Sequence, residues 1–233
     1  MRIIISRLSV LALFVLLSAC GVGDYGLMPE DNEYSDAYYE QPVEEEPELP
    51  PPVRRGVIED DVYASDFLGL SFTLPGEDWS FMDDEYIAAR LELGGELIAE
   101  HGVELDVQDD RVLYDMMALC GASDSMIVVM IEDISQMQGA QRYLQGFKEQ
   151  LETPGVFEFE FDEDFQVTLG GQQFDVISAS VDIGEVRSQQ HYLVRRQGDN
   201  MVVVIVFLFG DLTLDDIIEH FGDPHPEAEY SEV

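Results

Sequence analysis

The sequence predicts an α+β fold in which an antiparallel β-sheet is covered by helices. Strand-like segments follow one another between residues 157 and 209 and are separated by short glycine-containing turns, which favour antiparallel pairing of neighbours. Helical periodicity lies before this run, at 135–151, and after it, at 213–221. Residues 58–222 are enough for one compact domain.

The first part of this domain predicts two short extended pieces and a helix. Residues 67–74 are rich in aromatic and aliphatic side chains and precede a Pro-Gly turn signal, and 79–82 predict a second extended piece. Asp83 is a suitable helix cap. We expect this helix to end at Gly94-Gly95, with a further helical piece at 96–100.

The middle of the domain predicts a buried strand and a helix. Residues 125–134 contain an apolar run typical of a sheet core. Ser135 and Gln138 have the spacing of a capping box, and the helix that they open should bury a stripe ending at Leu151. Thr153-Pro154-Gly155 terminates it.

The strands that follow differ in pattern. In 157–162 phenylalanine alternates with acids, which is typical of a sheet with one wet face. Segments 174–183 and 186–196 come next, and 201–209 is apolar on both faces, which predicts a central strand. A capping box at Thr213 and Asp216 opens the last helix.

Residues 1–19 predict an export signal. An apolar run follows Arg2 and Arg7 and is shorter than the ~20 residues that a membrane-spanning helix needs. The stretch Leu17-Ser18-Ala19-Cys20 resembles the lipobox of bacterial lipoproteins at all four positions. This resemblance implies cleavage before Cys20 and a diacylglycerol on its sulfur. We therefore expect an extracytoplasmic protein that is lipid-anchored to the cell membrane.

Two acidic segments flank the domain. Residues 20–57 begin with the lipidated cysteine and are rich in acids and proline, so they should form an extended tether. Residues 223–233 form a short acidic tail.

The formal net charge of −38 excludes one class of partner and constrains the anchoring. Nucleic-acid binding depends on basic side chains, and this chain has 11 against 49 acidic ones. Anionic lipid head groups would repel it, so the acyl chains must hold it at the membrane. Solubility explains the acidity more simply than an acidic recognition surface does.

The sequence shows little sign of catalysis. Cys120 has no histidine near it in sequence, and we expect it to be a buried apolar residue rather than a nucleophile. His220, Asp223 and His225 lack the spacing of a metal site. No nucleophile elbow, phosphate-binding loop or Cys-x-x-Cys motif occurs. We predict no catalytic residue, metal or cofactor. An envelope hydrolase remains a third hypothesis, based on isolated His, Ser and Asp residues.

The most informative polar pattern lies on the strand 186–196. Alternation places Arg187, His191 and Arg195 on one face, where guanidinium groups could hold an anion or a carboxylate of a partner. The alternative is that these arginines pair with the abundant acids of the chain itself.

One stretch also carries a family resemblance. Asp66–Pro75, followed by Trp79, Phe81 and the acidic cap Asp83-Asp84-Glu85, resembles the opening of PsbP-like domains. The resemblance implies an α-β-α sandwich of the kind found in small lipoproteins of Gram-positive bacteria. It implies an accessory or binding role and supplies no functional residue.

Together these observations favour a non-catalytic accessory module that binds an envelope or exported component. The alternative is a carrier that holds a small apolar or lipid ligand between the sheet and the helices, for which the phenylalanine and methionine content is the sequence signal.

Overall fold

Two antiparallel sheets form the centre of the molecule in the computed structural model, which describes residues 53–99, 112–134, 140–151, 158–183 and 186–225. The strands are β1 (Val57–Glu59), β2 (Val62–Ser65), β3 (Leu70–Thr73), β4 (Trp79–Phe81), β5 (Val112–Cys120), β6 (Met126–Asp133), β7 (Phe159–Phe161), β8 (Phe165–Leu169), β9 (Gln172–Ile183), β10 (Val186–Gln197), β11 (Asn200–Phe209) and β12 (Phe221–Gly222). The helices are α1 (Asp84–Ala99), α2 (Ala140–Leu151) and α3 (Leu214–Ile218).

The larger sheet has the order β4-β5-β6-β11-β10-β9-β7, and β8 pairs with β9 on the same side as β7. The smaller sheet has the order β1-β2-β3-β12. Every residue of β11 after Asn200 is buried, and β11 lies between β6 and β10. This confirms the prediction that 201–209 is a central strand, and the pairing of the later strands is antiparallel as expected.

The two faces of the larger sheet are covered differently. On one face, α1 and α2 contribute Ile87, Tyr143 and Phe147 to an apolar core with the sheet. On the other face lies a second apolar core, to which the smaller sheet contributes residues such as Tyr63 and Phe72. The short helix α3 also packs into this core. The α+β class with an antiparallel sheet therefore holds. The cover by helices is largely limited to one face, because the 57–73 segment folds into hairpin strands and packs as a sheet on the other.

The helix α1 differs from the prediction at its end. Asp83 caps it as expected, since its carboxylate accepts a hydrogen bond from the Tyr86 N–H at 2.8 Å. The helix then continues through Gly94-Gly95 to Ala99, so the predicted stop was wrong. Glycine weakens a helix by about 1 kcal/mol relative to alanine, but it keeps its N–H and therefore does not interrupt the hydrogen-bond ladder.

The other helices agree with the sequence where the structure describes them. The predicted stripe of α2 is buried and ends at Leu151, whereas the capping box at Ser135 and Gln138 lies outside the described residues. At α3, Thr213 and Asp216 form the reciprocal capping box that their spacing predicts.

The strand β8 was not predicted from the sequence. It precedes the glycine pair at 170–171. Both glycines have positive φ, +52° and +78°, which is the conformation of a two-residue turn of type I′. This turn joins β8 to β9, with Leu169 opposite Gln172. The strands β7 and β8 therefore follow one another along the same edge of the larger sheet, and both pair with β9.

A buried carboxylate holds the entering chain against the larger sheet. Asp115 lies at an irregularity of β5, between Tyr114 and Met116, and its side chain is buried. It accepts hydrogen bonds from the Tyr63 hydroxyl at 2.5 Å and from the Gly56 N–H at 2.8 Å. Burial raises the pKa of Asp115, although both donors oppose that shift. The start of the domain is therefore fixed to β5 by polar contacts.

Candidate functional site

The predicted binding residues of β10 share one face but lie at different depths. Arg187 is exposed, and its guanidinium bonds to Glu160 on β7 and contacts Asp182 on β9 at 3.5 Å. The hydrogen bond and charge of Glu160 raise the pKa of Arg187. This arginine is therefore engaged by the chain's own acids, which was the alternative reading of the sequence.

His191 is buried at the middle of β10. Its Nδ1 lies 2.6 Å from the Ser178 hydroxyl, and its Nε2 has no hydrogen-bond partner among the described residues. Burial lowers the pKa of His191 to about 4, against a weaker opposing effect of the Asp162 charge. The imidazole is consequently neutral at pH 7 and adds no positive charge to this face.

Arg195 lies between the two sheets rather than on an open surface. Its Nη2 donates to the Leu68 carbonyl at 2.8 Å and to Gln197 Oε1 at 2.7 Å, and the guanidinium lies 5.4 Å from the centre of the Phe174 ring. Burial lowers its pKa. The side chain thus fastens the smaller sheet to β10.

These three residues do not form one basic surface. The Cα atoms of Arg187 and Arg195 are eight strand residues apart, or about 26 Å at ~3.3 Å per residue. The histidine between them is buried and neutral. Their contact with a partner remains a prediction, but the structure gives each of them a role within the domain.

The cysteine and the histidines that the sequence offered as reactive or metal-binding residues have structural contacts or lie outside the described residues. Cys120 is a buried free cysteine, as predicted, and lies opposite Trp79 in the sheet. His225 bonds to Asp66 at 2.9 Å, and the His220 ring contacts Phe72. Among the residues with described positions, no group of three His, Cys, Asp or Glu side chains is arranged to hold a metal ion. Cys20 lies outside the described residues.

An open cleft that was not predicted from the sequence lies between α2 and the β8–β9 hairpin. Its volume is about 690 Å³, within the usual range for ligand sites. The helix contributes Leu144 and Gln145, and the strands contribute Phe165, Asp175 and Ile177. The periodic pattern Phe165, Val167, Leu169 before a glycine pair was the available signal for the hairpin that forms one wall.

The polar groups of the cleft are held in place by a chain of hydrogen bonds. Gln173 Nε2 donates to Gln166 Oε1 at 2.9 Å, and Gln166 Nε2 donates to Asp175 Oδ1 at 2.6 Å. A second carboxylate, Asp164, lines the cleft and is exposed. Below them Leu144 and Ile177 are buried. Arg142 of α2 also lines the cleft and is exposed. The cleft therefore combines an apolar floor with two carboxylates and one guanidinium, and this excess of negative charge suits a ligand carrying positive charge on an apolar body.

In the part of the chain with assigned structure, no helix has the length and apolarity needed to cross a membrane.

Comparison with known proteins gives similarities of structure only. No family model matches the chain, and no curated protein matches it. The chain is similar to the solution structure of cyanobacterial PsbP (CyanoP) from Synechocystis sp. PCC 6803, with 13% identity, a TM-score of 0.43, and 70% of this chain and 91% of that chain covered. It is also similar to the crystal structure of LpqN, involved in cell envelope biogenesis of Mycobacterium tuberculosis, with 12% identity, a TM-score of 0.38, and 66% and 82% covered.

Proposed function

We propose that the protein is an extracytoplasmic, lipid-anchored accessory protein with a PsbP-like domain, and that it binds an envelope or exported partner without catalysis. The observation that carries this proposal is the cleft between α2 and the β8–β9 hairpin, where Asp175 is fixed above an apolar floor. Lipid attachment at Cys20 and the acidic tether would hold this cleft outside the membrane.

The cleft favours a protein partner over an apolar carrier ligand. It is open to solvent, and its wall includes two carboxylates, Asp164 and Asp175, against one guanidinium, Arg142. An apolar molecule covering these carboxylates would remove them from water without supplying a hydrogen bond, which costs several kcal/mol. A partner with basic side chains supplies both the charge and the hydrogen bonds.

Site-specific photocrosslinking in the producing cells tests the proposal. A benzophenone amino acid would replace Gln145 in the cleft, and a matched control would replace Glu219, an exposed residue after α3 on the opposite side of the larger sheet. We expect one defined exported protein to be crosslinked from position 145 and not from position 219. A lipid or metabolite adduct at 145 would favour the carrier instead. Equal crosslinking from both positions, or none from 145, would contradict the cleft as the site.

The anchor requires its own test. Mass spectrometry of the N-terminal peptide should show a lipidated Cys20, and Cys20→Ala should leave the protein in the soluble extracellular fraction or as an uncleaved precursor. An unmodified cysteine in the membrane-bound wild-type protein would contradict lipid anchoring.

A further inference from the structure

We propose that the occupant of the cleft is an extended basic segment of a partner protein, which adds as a further strand to the free edge of β8. This inference rests on the proposed function and specifies the chemistry of the same site.

The turn at Gly170-Gly171 determines which backbone groups of β8 are free. In a two-residue hairpin the residues that flank the turn, here Leu169 and Gln172, form a hydrogen-bonded pair. Hydrogen-bonded pairs then alternate along the strand. The odd-numbered residues of β8 therefore bond to β9, whereas the N–H and C=O groups of Gln166 and Thr168 point away from it.

Nothing in the described part of the chain pairs with that outer side. The pairs of β8 are all with β9, and Gln166 and Thr168 are both exposed. Two donors and two acceptors are consequently available in the spacing that an added strand requires.

The strand β8 also lacks the features that usually protect a sheet edge. Exposed edges are commonly blocked by lysine, proline, a bulge or an inward-pointing charge. The sequence of β8, FQVTL, contains no charge and no proline, and its pairing with β9 shows no register shift. Phe165 is 40% exposed at its start and lines the cleft. An unprotected edge beside a cleft is the geometry of peptide binding by strand addition.

The acidic residues around β8 favour a basic segment as the added strand. The residues just before β8, Asp162-Glu163-Asp164, are all acidic and exposed, and Asp175 lies opposite Gln166 on β9. A segment with a lysine or arginine at alternate positions would place its charges about 6.6 Å apart on one face, near Asp164 and Asp175, the two carboxylates that line the cleft. A second copy of this chain is disfavoured because it would bring the same acidic residues, at a net charge of −38, against this edge.

Binding of synthetic peptides to the full-length lipidated protein in detergent micelles provides the test. The probe is a fluorescent peptide, acetyl-Lys-Val-Lys-Val-Lys-Val-amide, and fluorescence anisotropy measures its Kd at low and at physiological salt. The controls are the same peptide with glutamate in place of lysine, and a version of the lysine peptide that is N-methylated at alternate backbone nitrogens and so cannot pair. We expect the lysine peptide to bind at least tenfold more tightly than either control, more weakly as salt rises.

Variants of the protein locate the contact. Thr168→Pro removes an outward N–H while leaving the ladder to β9 intact, so peptide binding should weaken at least tenfold. Thr168→Ala keeps the N–H and should bind like the wild type. Asp175→Asn should weaken binding severalfold, whereas Glu219→Gln, with the same change of charge elsewhere, should not. The N-methylated peptide tests strand pairing without altering the protein, so the test stands even if the proline variant folds poorly.

The outcomes separate this inference from the proposed function. Equal binding of the N-methylated peptide, or undiminished binding to a folded Thr168→Pro protein, would overturn strand addition. If no lysine peptide binds while position 145 still crosslinks to a protein, the inference fails and the proposed function survives. If neither occurs, both fail.

Discussion

Protonation of His191 should destabilise the domain at mildly acidic pH. The imidazole is buried beside Ser178, and a proton would place charge in a site where Nε2 has no acceptor among the described residues. Burial depresses the pKa to about 4 from the ordinary 6.5, so the folded state binds fewer protons than the unfolded chain. The stability contributed by the neutral form is complete above about pH 6.5 and is lost as pH falls toward 4.

The size of this effect follows from the two pKa values. Linkage between them gives a loss of about 2 kcal/mol between pH 8 and pH 5, and ~3 kcal/mol by pH 4. Carboxylates also titrate in this range, so the total pH dependence of the wild type is not diagnostic. The difference between the wild type and His191→Gln isolates the titration of the histidine, because glutamine is a polar side chain that can bond to the Ser178 hydroxyl and does not titrate.

Urea unfolding of the two proteins at several pH values supplies the measurement. The single tryptophan, Trp79, is buried in the core beside the smaller sheet, so its fluorescence reports unfolding of the domain. We expect the free-energy difference between the wild type and His191→Gln to change by about 2 kcal/mol from pH 8 to pH 5, in favour of the variant at low pH. Parallel stability curves over this range would refute the assignment of His191 as a neutral buried group.

Substitutions at three further positions test contacts that stabilise the domain. Tyr63→Phe removes a donor to the buried carboxylate of Asp115 and should cost about 2 kcal/mol in urea unfolding; an unchanged midpoint would show that water replaces the hydroxyl. Gly56→Ala would place a Cβ 2.8 Å from the Ala64 carbonyl and 2.3 Å from the Tyr63 ring, so the thermal midpoint should fall, and a midpoint equal to that of the wild type would contradict this packing. Thr213→Ala removes the helix cap and should cost about 1 kcal/mol, while Thr213→Ser should restore most of it.

Elements whose information is local could be predicted from the sequence. The strand 201–209 and the capping box at Thr213 each depend on a few neighbouring side chains, and the structure confirms both. The smaller sheet was largely missed because its strands are short and its first turn is unusual. Asp60 has a positive φ of 51°, which lets β1 and β2 pair within a stretch that contains no glycine.

The candidate site likewise combines features that the sequence could predict with features that it could not. The two-residue period of a strand correctly places Arg187, His191 and Arg195 on one face, but it does not indicate how deeply each side chain is buried. Depth depends on which distant elements cover that face: Glu160 on β7 reaches Arg187, and the loop carbonyl of Leu68 reaches Arg195. Predicting the cleft required still more remote information, because its lining comes from α2 and from an edge hairpin that the sequence pattern did not predict.

The position of β8 explains why binding is expected there rather than at β10. The strand β10 is paired on both sides and lies between two apolar cores, so its polar side chains serve the fold. The strand β8 pairs only with β9 within the described residues, and the acids at 162–164 precede it. An open uncharged edge would ordinarily invite self-association, but the like charges of a second copy oppose it within the Debye length of about 8 Å at physiological salt. The acidity from which we predict no nucleic-acid binding would thus also keep the edge free of other copies and leave it available to a basic strand.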